Sequence, residues 1–134
     1  MDDRKFFPKN ERLSLQKDID RLFEYGRTFV SYPLRIIYLP QATPEAGVSV
    51  LISVPKKRIR HAVTRNRIKR LIRESYRLNK SETIAHYKIK EQQLHIAFLY
   101  QSNAIMMYTE IEKAVIKALK VIRRKEDSQT LNPN

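Results

Sequence analysis

A chain of 134 residues with 42% hydrophobic residues can bury a core of its own as one domain. It carries 27 Lys+Arg against 14 Asp+Glu, a formal net charge of +13, and no cysteine. The charge directs attention to a polyanionic partner, and the missing cysteine excludes disulfides, cysteine–zinc centres and thiol nucleophiles.

The first residues have acids at positions 2 and 3 and no apolar run, and no stretch approaches the roughly 18–20 apolar residues that span a bilayer. A soluble, cytoplasmic protein is expected. Residues 1–12 read as a tail in which Phe6 and Phe7 precede Pro8. Residues 14–25 predict a helix: Ser14 is the expected N-cap, and Leu15, Ile19, Leu22 and Phe23 share one apolar face. Gly26, one of only two glycines, stands where a left-handed C-cap is expected. Residues 29–39 predict strand interrupted at Pro33, with Leu34, Ile36 and Tyr38 on one face, and residues 40–47 predict a loop. Residues 48–54 predict a second strand, with Val50, Ile52 and Val54 on one face, paired antiparallel to the first.

Residues 55–80 hold eleven basic side chains and one acid, Glu74, a net +10 of the chain's +13. A helix is predicted over 63–79, with His61 or Thr64 as N-cap and Ile68, Leu71, Ile72 and Ser75 turned inward. Arg65, Lys69, Arg73 and Arg77 then fall at four-residue spacing as one cationic stripe, broadened by Arg70. Like charges at that spacing cost roughly 0.2–0.5 kcal/mol per pair, so folding alone disfavours the stripe and a row of phosphates would reverse the sign. A solvated helix face is the bland reading, but such faces mix signs, and this one has a single acid. Arginine's planar fork suits phosphate and base stacking, and Asn66 adds an amide for a base edge or sugar hydroxyl.

Residues 80–93 are polar and predict a helical turn or two. Residues 94–100 predict a buried strand. A last helix is predicted to open on a Thr109–Glu112 capping box, to bury Ile111, Ala114, Val115, Ala118, Leu119 and Ile122, and to end at Arg123, Arg124 and Lys125, where cations suit the dipole. Residues 126–134 predict a disordered tail. The fold class is α+β: a small, mostly antiparallel sheet with helices packed on it, in the order α-β-β-β-α-β-α.

The run from Ala62 to Glu74, AVTRNRIKRLIRE, resembles the RNR signature of the bacterial ribonuclease P protein subunit, and the similarity extends over roughly residues 12–125. The resemblance implies a ribosomal protein S5 domain 2-like fold with a left-handed βαβ crossover around the basic helix. It implies one RNA-binding domain over 13–125 that binds the catalytic ribonuclease P RNA and the 5′ leader of precursor tRNA, assisting Mg²⁺-dependent endonucleolytic removal of that leader. The Mg²⁺ is then held mainly by the RNA, and no catalytic residue falls on the protein. The implied RNA-binding set is Lys56, Lys57, Arg58, Arg60, Arg65, Asn66, Arg67, Lys69, Arg70, Arg73 and Arg77. The implied leader cleft, floored by the sheet and bordered by the first helix, takes Phe23, Tyr32, Tyr38, Asn66, Lys69 and Arg73. Where relatives commonly carry two phenylalanines on the first helix, this chain has Ile19 and Phe23, and its turn over 57–61 has no glycine.

His61, His86 and His95 share no metal spacing, and two glycines cannot build a phosphate-cradling loop. A ribosomal or assembly protein is the alternative that composition allows. A DNA-binding regulator would want a helix-turn-helix pair, whereas the basic helix follows a strand.

Overall fold

Residues 94–100 are apolar at nearly every position, and such a strand can only sit where both faces are covered. The structure, a computed structural model, describes residues 11–42 and 46–131, with side chains through residue 125. Its elements are α1 (Gln16–Tyr25), β1 (Arg27–Ser31), β2 (Leu34–Gln41), β3 (Gly47–Ser53), α2 (Ala62–Asn79), α3 (Ser81–Ile89), β4 (Gln93–Tyr100) and α4 (Tyr108–Leu131). The order is the expected one with a short helix, α3, added. One sheet runs β1-β2-β4-β3, antiparallel except that β3 and β4 are parallel. The antiparallel pairing expected between residues 29–39 and 48–54 does not form. β4 lies between them because it is the strand apolar on both faces, and the crossover through α2 and α3 brings it back parallel to β3.

One face of the sheet buries Leu34, Ile36, Tyr38, Val48, Val50, Leu94, Ile96, Phe98 and Tyr100. α2 covers it with Ile68, Ile72 and Tyr76, α3 with Tyr87, and α4 with the six residues expected of it. The opposite face carries α1, where Leu22 buries completely against Ile37 and Ala97 with Leu13 beside them. Burying Leu22 contributes roughly 1.5–3 kcal/mol, which a ten-residue helix cannot obtain alone.

Several local expectations are corrected. Helix α1 starts at Gln16, so Leu15, not Ser14, holds the N-cap position, and Leu15 is exposed instead of joining the apolar face. Gly26 has φ −68°, an extended conformation open to any residue. Its requirement is space: a Cβ there would lie 2.3 Å from the Leu22 carbonyl oxygen and 2.6 Å from Ile37 Cγ2. The glycine lets the chain leave α1 tight against β2. Gly47 has φ +144° and needs glycine for conformation. Tyr108, not Thr109, begins α4. Glu112 makes no capping box and instead accepts hydrogen bonds from Asn79 Nδ2 (3.2 Å) and the Tyr108 hydroxyl (3.3 Å), tying α4 to the end of α2. α4 continues to Leu131, so Arg123–Lys125 do not end it, and residues 126–131, expected in the tail, are helical.

Residues 11 and 12, expected in the N-terminal tail, lie against the fold. Leu13 donates its N–H to the Val50 carbonyl (2.9 Å), and Arg12 bridges β3 in parallel. Glu11 meets Lys80, which is 1% exposed, at 2.7 Å. Phe6 and Phe7 lie outside the described residues.

On the α1 face of β4, His95 is buried, and its Nδ1 lies 2.8 Å from Gln41 Nε2. An amide donor there requires an unprotonated Nδ1, hence a neutral ring. Burial, with Arg21 nearby, lowers the pKa from 6.5, against an opposing pull from Asp18. A depressed folded-state pKa means that the unfolded chain binds the proton first. The stability from keeping His95 neutral is complete above pH 6.5 and is lost as pH falls through the folded value. Urea unfolding between about pH 5 and 7 should show this acid slope in the native protein. His95→Gln should flatten it.

Candidate nucleic-acid interface

β3 ends at Ser53, and Pro55 turns the chain away from the sheet. The turn expected to be built without glycine is closed by three devices. Arg58 and Ile59 donate their N–H groups to the Pro55 carbonyl (3.0 and 3.1 Å). Ile59 plugs into the core at 6% exposure. Arg65, one turn into α2, reaches back and donates from Nη1 to the carbonyls of Ile59 (3.1 Å) and Arg60 (2.8 Å). His61 occupies the N-cap position of α2 without a side-chain cap bond. In place of that bond, the guanidinium of Arg65 holds the approach to the helix.

This changes what the cationic stripe is. Arg65 is committed to the turn. At the other end, Arg77 forms an ion pair with Glu74, its Nε donating to Oε2 at 3.1 Å and its Nη2 to Oε1. That hydrogen bond holds the Glu74 carboxyl below its ordinary pKa. The expected four-residue stripe is therefore occupied at both ends. What remains presented to solvent is Asn66, Arg67 and Arg70, all exposed, with Lys69 and Arg73 half-buried on one flank. The Nε of Arg73 is buried without a hydrogen-bond partner among the described residues. Lys56, Lys57 and Arg60 are exposed on the turn, and Arg58 lies 3.5 Å from Asn103 Oδ1. Turn and helix form one continuous cationic ridge.

The expected cleft aromatics are not brought together. Phe23 stands 46% exposed on α1. Ile19 packs half-buried on the sheet. Tyr38 is completely buried beneath α4, edge-on to Phe29 at 5.9 Å, and offers no ring to a ligand. Strand alternation puts it on the opposite face from α1. Tyr32 is exposed, but at the cis Tyr32–Pro33 turn, where it lines a depression with Met106, Glu110, Lys113 and Lys117 on the α4 side.

The register supplies what the sequence could not. Val30, Arg35, Leu99 and Ser53 pair across all four strands as a single row on the α1 face. Val30 and Arg35 are exposed, and Leu99 and Ser53 are half-buried. The neighbouring row through Ile37 and Ala97 is covered by α1. The open row runs from the sheet edge to Ser53, where the chain turns into the basic ridge. Among the described residues no group of three or more His, Asp or Glu is placed to hold a metal ion, and no helix is long and apolar enough to cross a membrane.

The family model for ribonuclease P matches residues 7–123. The chain is 44% identical over 114 residues to the ribonuclease P protein component of Porphyromonas gingivalis, covering 83% of this chain and 82% of that one. Its fold is similar to the solved ribonuclease P protein of Staphylococcus aureus, with a TM-score of 0.65 at 22% identity over 84% of this chain and 94% of that one. That of Thermotoga maritima gives 0.65 at 21%, over 82% and 96%. With a family match over most of its length and a relative of this identity, the chain belongs to the ribonuclease P protein family, the protein component of a tRNA-processing endonuclease.

Proposed function

We propose that this protein binds the ribonuclease P RNA through the α2 ridge, grips the 5′ leader of precursor tRNA on the α1 face of the sheet, and acts in the cytoplasm. The observation that carries the reading is the ridge itself. Asn66, Arg67, Lys69, Arg70 and Arg73 are presented together, and Glu74, the one acid of the segment, is already paired with Arg77. Such a surface neutralises phosphates and releases their counterions. The open row Val30–Arg35–Leu99–Ser53 leads to that ridge, with Phe23 on the bordering helix. It offers a single strand an apolar floor, a cation and a ring. Mg²⁺ belongs in this reading as an ion held by the RNA. The described residues offer it no ligand cluster, and the protein's part is to lower the repulsion between phosphates that the ion must also overcome.

The test is affinity for precursor tRNA against mature tRNA, measured on protein reconstituted with ribonuclease P RNA. The native protein should prefer the leader-bearing substrate. Phe23→Ala should reduce that preference by about fivefold to a hundredfold, since stacking contributes roughly 1–3 kcal/mol per base. Phe23 is about half exposed and outside both cores, so the fold should hold. Equal affinity of the native protein for both tRNAs would refute the leader reading.

A further inference from the structure

Segment 113–125 of α4 contains Lys113, Lys117, Lys120, Arg123, Arg124 and Lys125 and no acid. The role at the helix terminus expected of Arg123, Arg124 and Lys125 is ruled out, because α4 runs on to Leu131. Two of the six have partners inside the fold. Arg123 donates to Thr83 Oγ1 (2.6 Å) and pairs with Glu82 (3.3 Å), and Lys125 lies 5.2 Å from the Phe29 ring centre. The other four are exposed and make no ion pair with a described residue. At 100° per residue, Lys113, Lys117, Lys120 and Arg124 fall within an arc of about 60°, opposite the buried Val115, Ala118 and Ile122, and they span about 16 Å. Each like pair at this spacing opposes the helix, so folding does not account for the stripe.

At one end the stripe meets an aromatic. Tyr32, 64% exposed, shares a depression with Lys113 and Lys117, and Glu110 is the one acid lining it. A ring beside a line of cations is the arrangement that holds an unpaired base and the phosphates that follow it. A membrane surface is disfavoured, because a helix lying on lipid needs a free apolar face, and the apolar face of α4 is buried on the sheet.

We infer that the outer face of α4, with Tyr32, is a second RNA-binding surface, separate from the α2 ridge, and that it takes a segment of the ribonuclease P RNA containing an unpaired nucleotide. This rests on the reading of the protein as a binder of that RNA. α2 and α4 pack side by side over the same face of the sheet, so one large RNA can reach both surfaces.

The test uses the full chain and the ribonuclease P RNA, with dissociation constants measured over a salt series and backbone protection mapped by hydroxyl radicals. The substitution Lys113→Ala/Lys117→Ala/Lys120→Ala/Arg124→Ala introduces only residues favourable in a helix, and a thermal melt checks the fold. Affinity should fall at least tenfold, and the log–log salt slope should drop by about 2–4. Protection should vanish at a position different from the one lost on Arg67→Ala/Arg70→Ala. Tyr32→Ala should weaken binding about fivefold or more, and Tyr32→Phe, which keeps the ring, should not. If the α4 variant binds as the native protein does while the α2 variant is weakened, the second surface is refuted and the first stands. A weaker α4 variant with an unchanged footprint also refutes it, since the stripe would then act only through general charge. If neither variant is weakened, the RNA-binding reading itself fails.

Discussion

Arg67→Ala/Arg70→Ala should weaken binding to ribonuclease P RNA by about tenfold to a hundredfold per residue at low salt, because a hydrogen bond to a charged group contributes about 1.5–3 kcal/mol. The log–log salt slope should fall by up to about 1.8, and the unfolding midpoint should stay unchanged, since both side chains are exposed. Arg65→Ala should behave differently, although it lies in the same motif. Its guanidinium is spent on the carbonyls of Ile59 and Arg60. Removing it leaves those acceptors without the cation that closes the turn, at a cost of about 1–3 kcal/mol of stability. RNA affinity should fall through loosening of the turn, with little change in salt slope. Arg65→Lys should rescue part of the loss, because both bonds come from one nitrogen, Nη1, and an ammonium also has N–H donors for two carbonyls. Equal slope losses for Arg65→Ala and Arg67→Ala would place both on phosphate and contradict the division drawn here.

The largest effect on stability should come from Glu11→Gln. Lys80 is 1% exposed at the junction of α2 and α3, and Glu11 is its anionic partner. Neutralising Glu11 removes a negative charge from beside a buried ammonium, and breaking a buried pair of this kind typically costs about 3–5 kcal/mol. Glu11 is partly reached by water, so a loss near the lower end is expected. A domain of this kind has only about 5–15 kcal/mol in total. Lys80→Met removes the buried charge and should cost less. The double substitution Glu11→Leu/Lys80→Met should recover most of the loss. Chemical denaturation of these proteins, with Glu11→Leu added so that the cycle closes on the same substitutions, measures the coupling. The same experiment tests whether residues 11–13 belong to the domain, because their docking through Leu13 and Arg12 holds Glu11 in place.

The basic helix was legible in the sequence because its evidence is local. Ile68, Ile72 and Ser75 repeat at helical spacing, and the charges crowd the other faces. The fate of two of those charges was not legible. Arg65 folds back on a turn that depends on where Pro55 sends the chain, and the pairing of Arg77 with Glu74 is a choice of rotamer. Strand order was misread because a loop of hairpin length between two strands suggests pairing, whereas the doubly apolar β4 had the stronger claim to the centre. Tyr38 shows the same limit: alternation placed it correctly with Leu34 and Ile36, but not which side of the sheet α1 would take. Gly26 was located correctly at the end of a helix for a reason that proved to be packing, not conformation. The open row of Val30, Arg35, Leu99 and Ser53 exists only through cross-strand register, and no property of the separate segments announces it.

Cleavage of precursor tRNA by ribonuclease P RNA, at an Mg²⁺ concentration too low for the RNA to act well alone, tests the central claim most directly. Adding this protein should restore removal of the 5′ leader, and Arg67→Ala/Arg70→Ala should require a higher protein concentration to do so. Cleavage unchanged by saturating native protein would contradict the account.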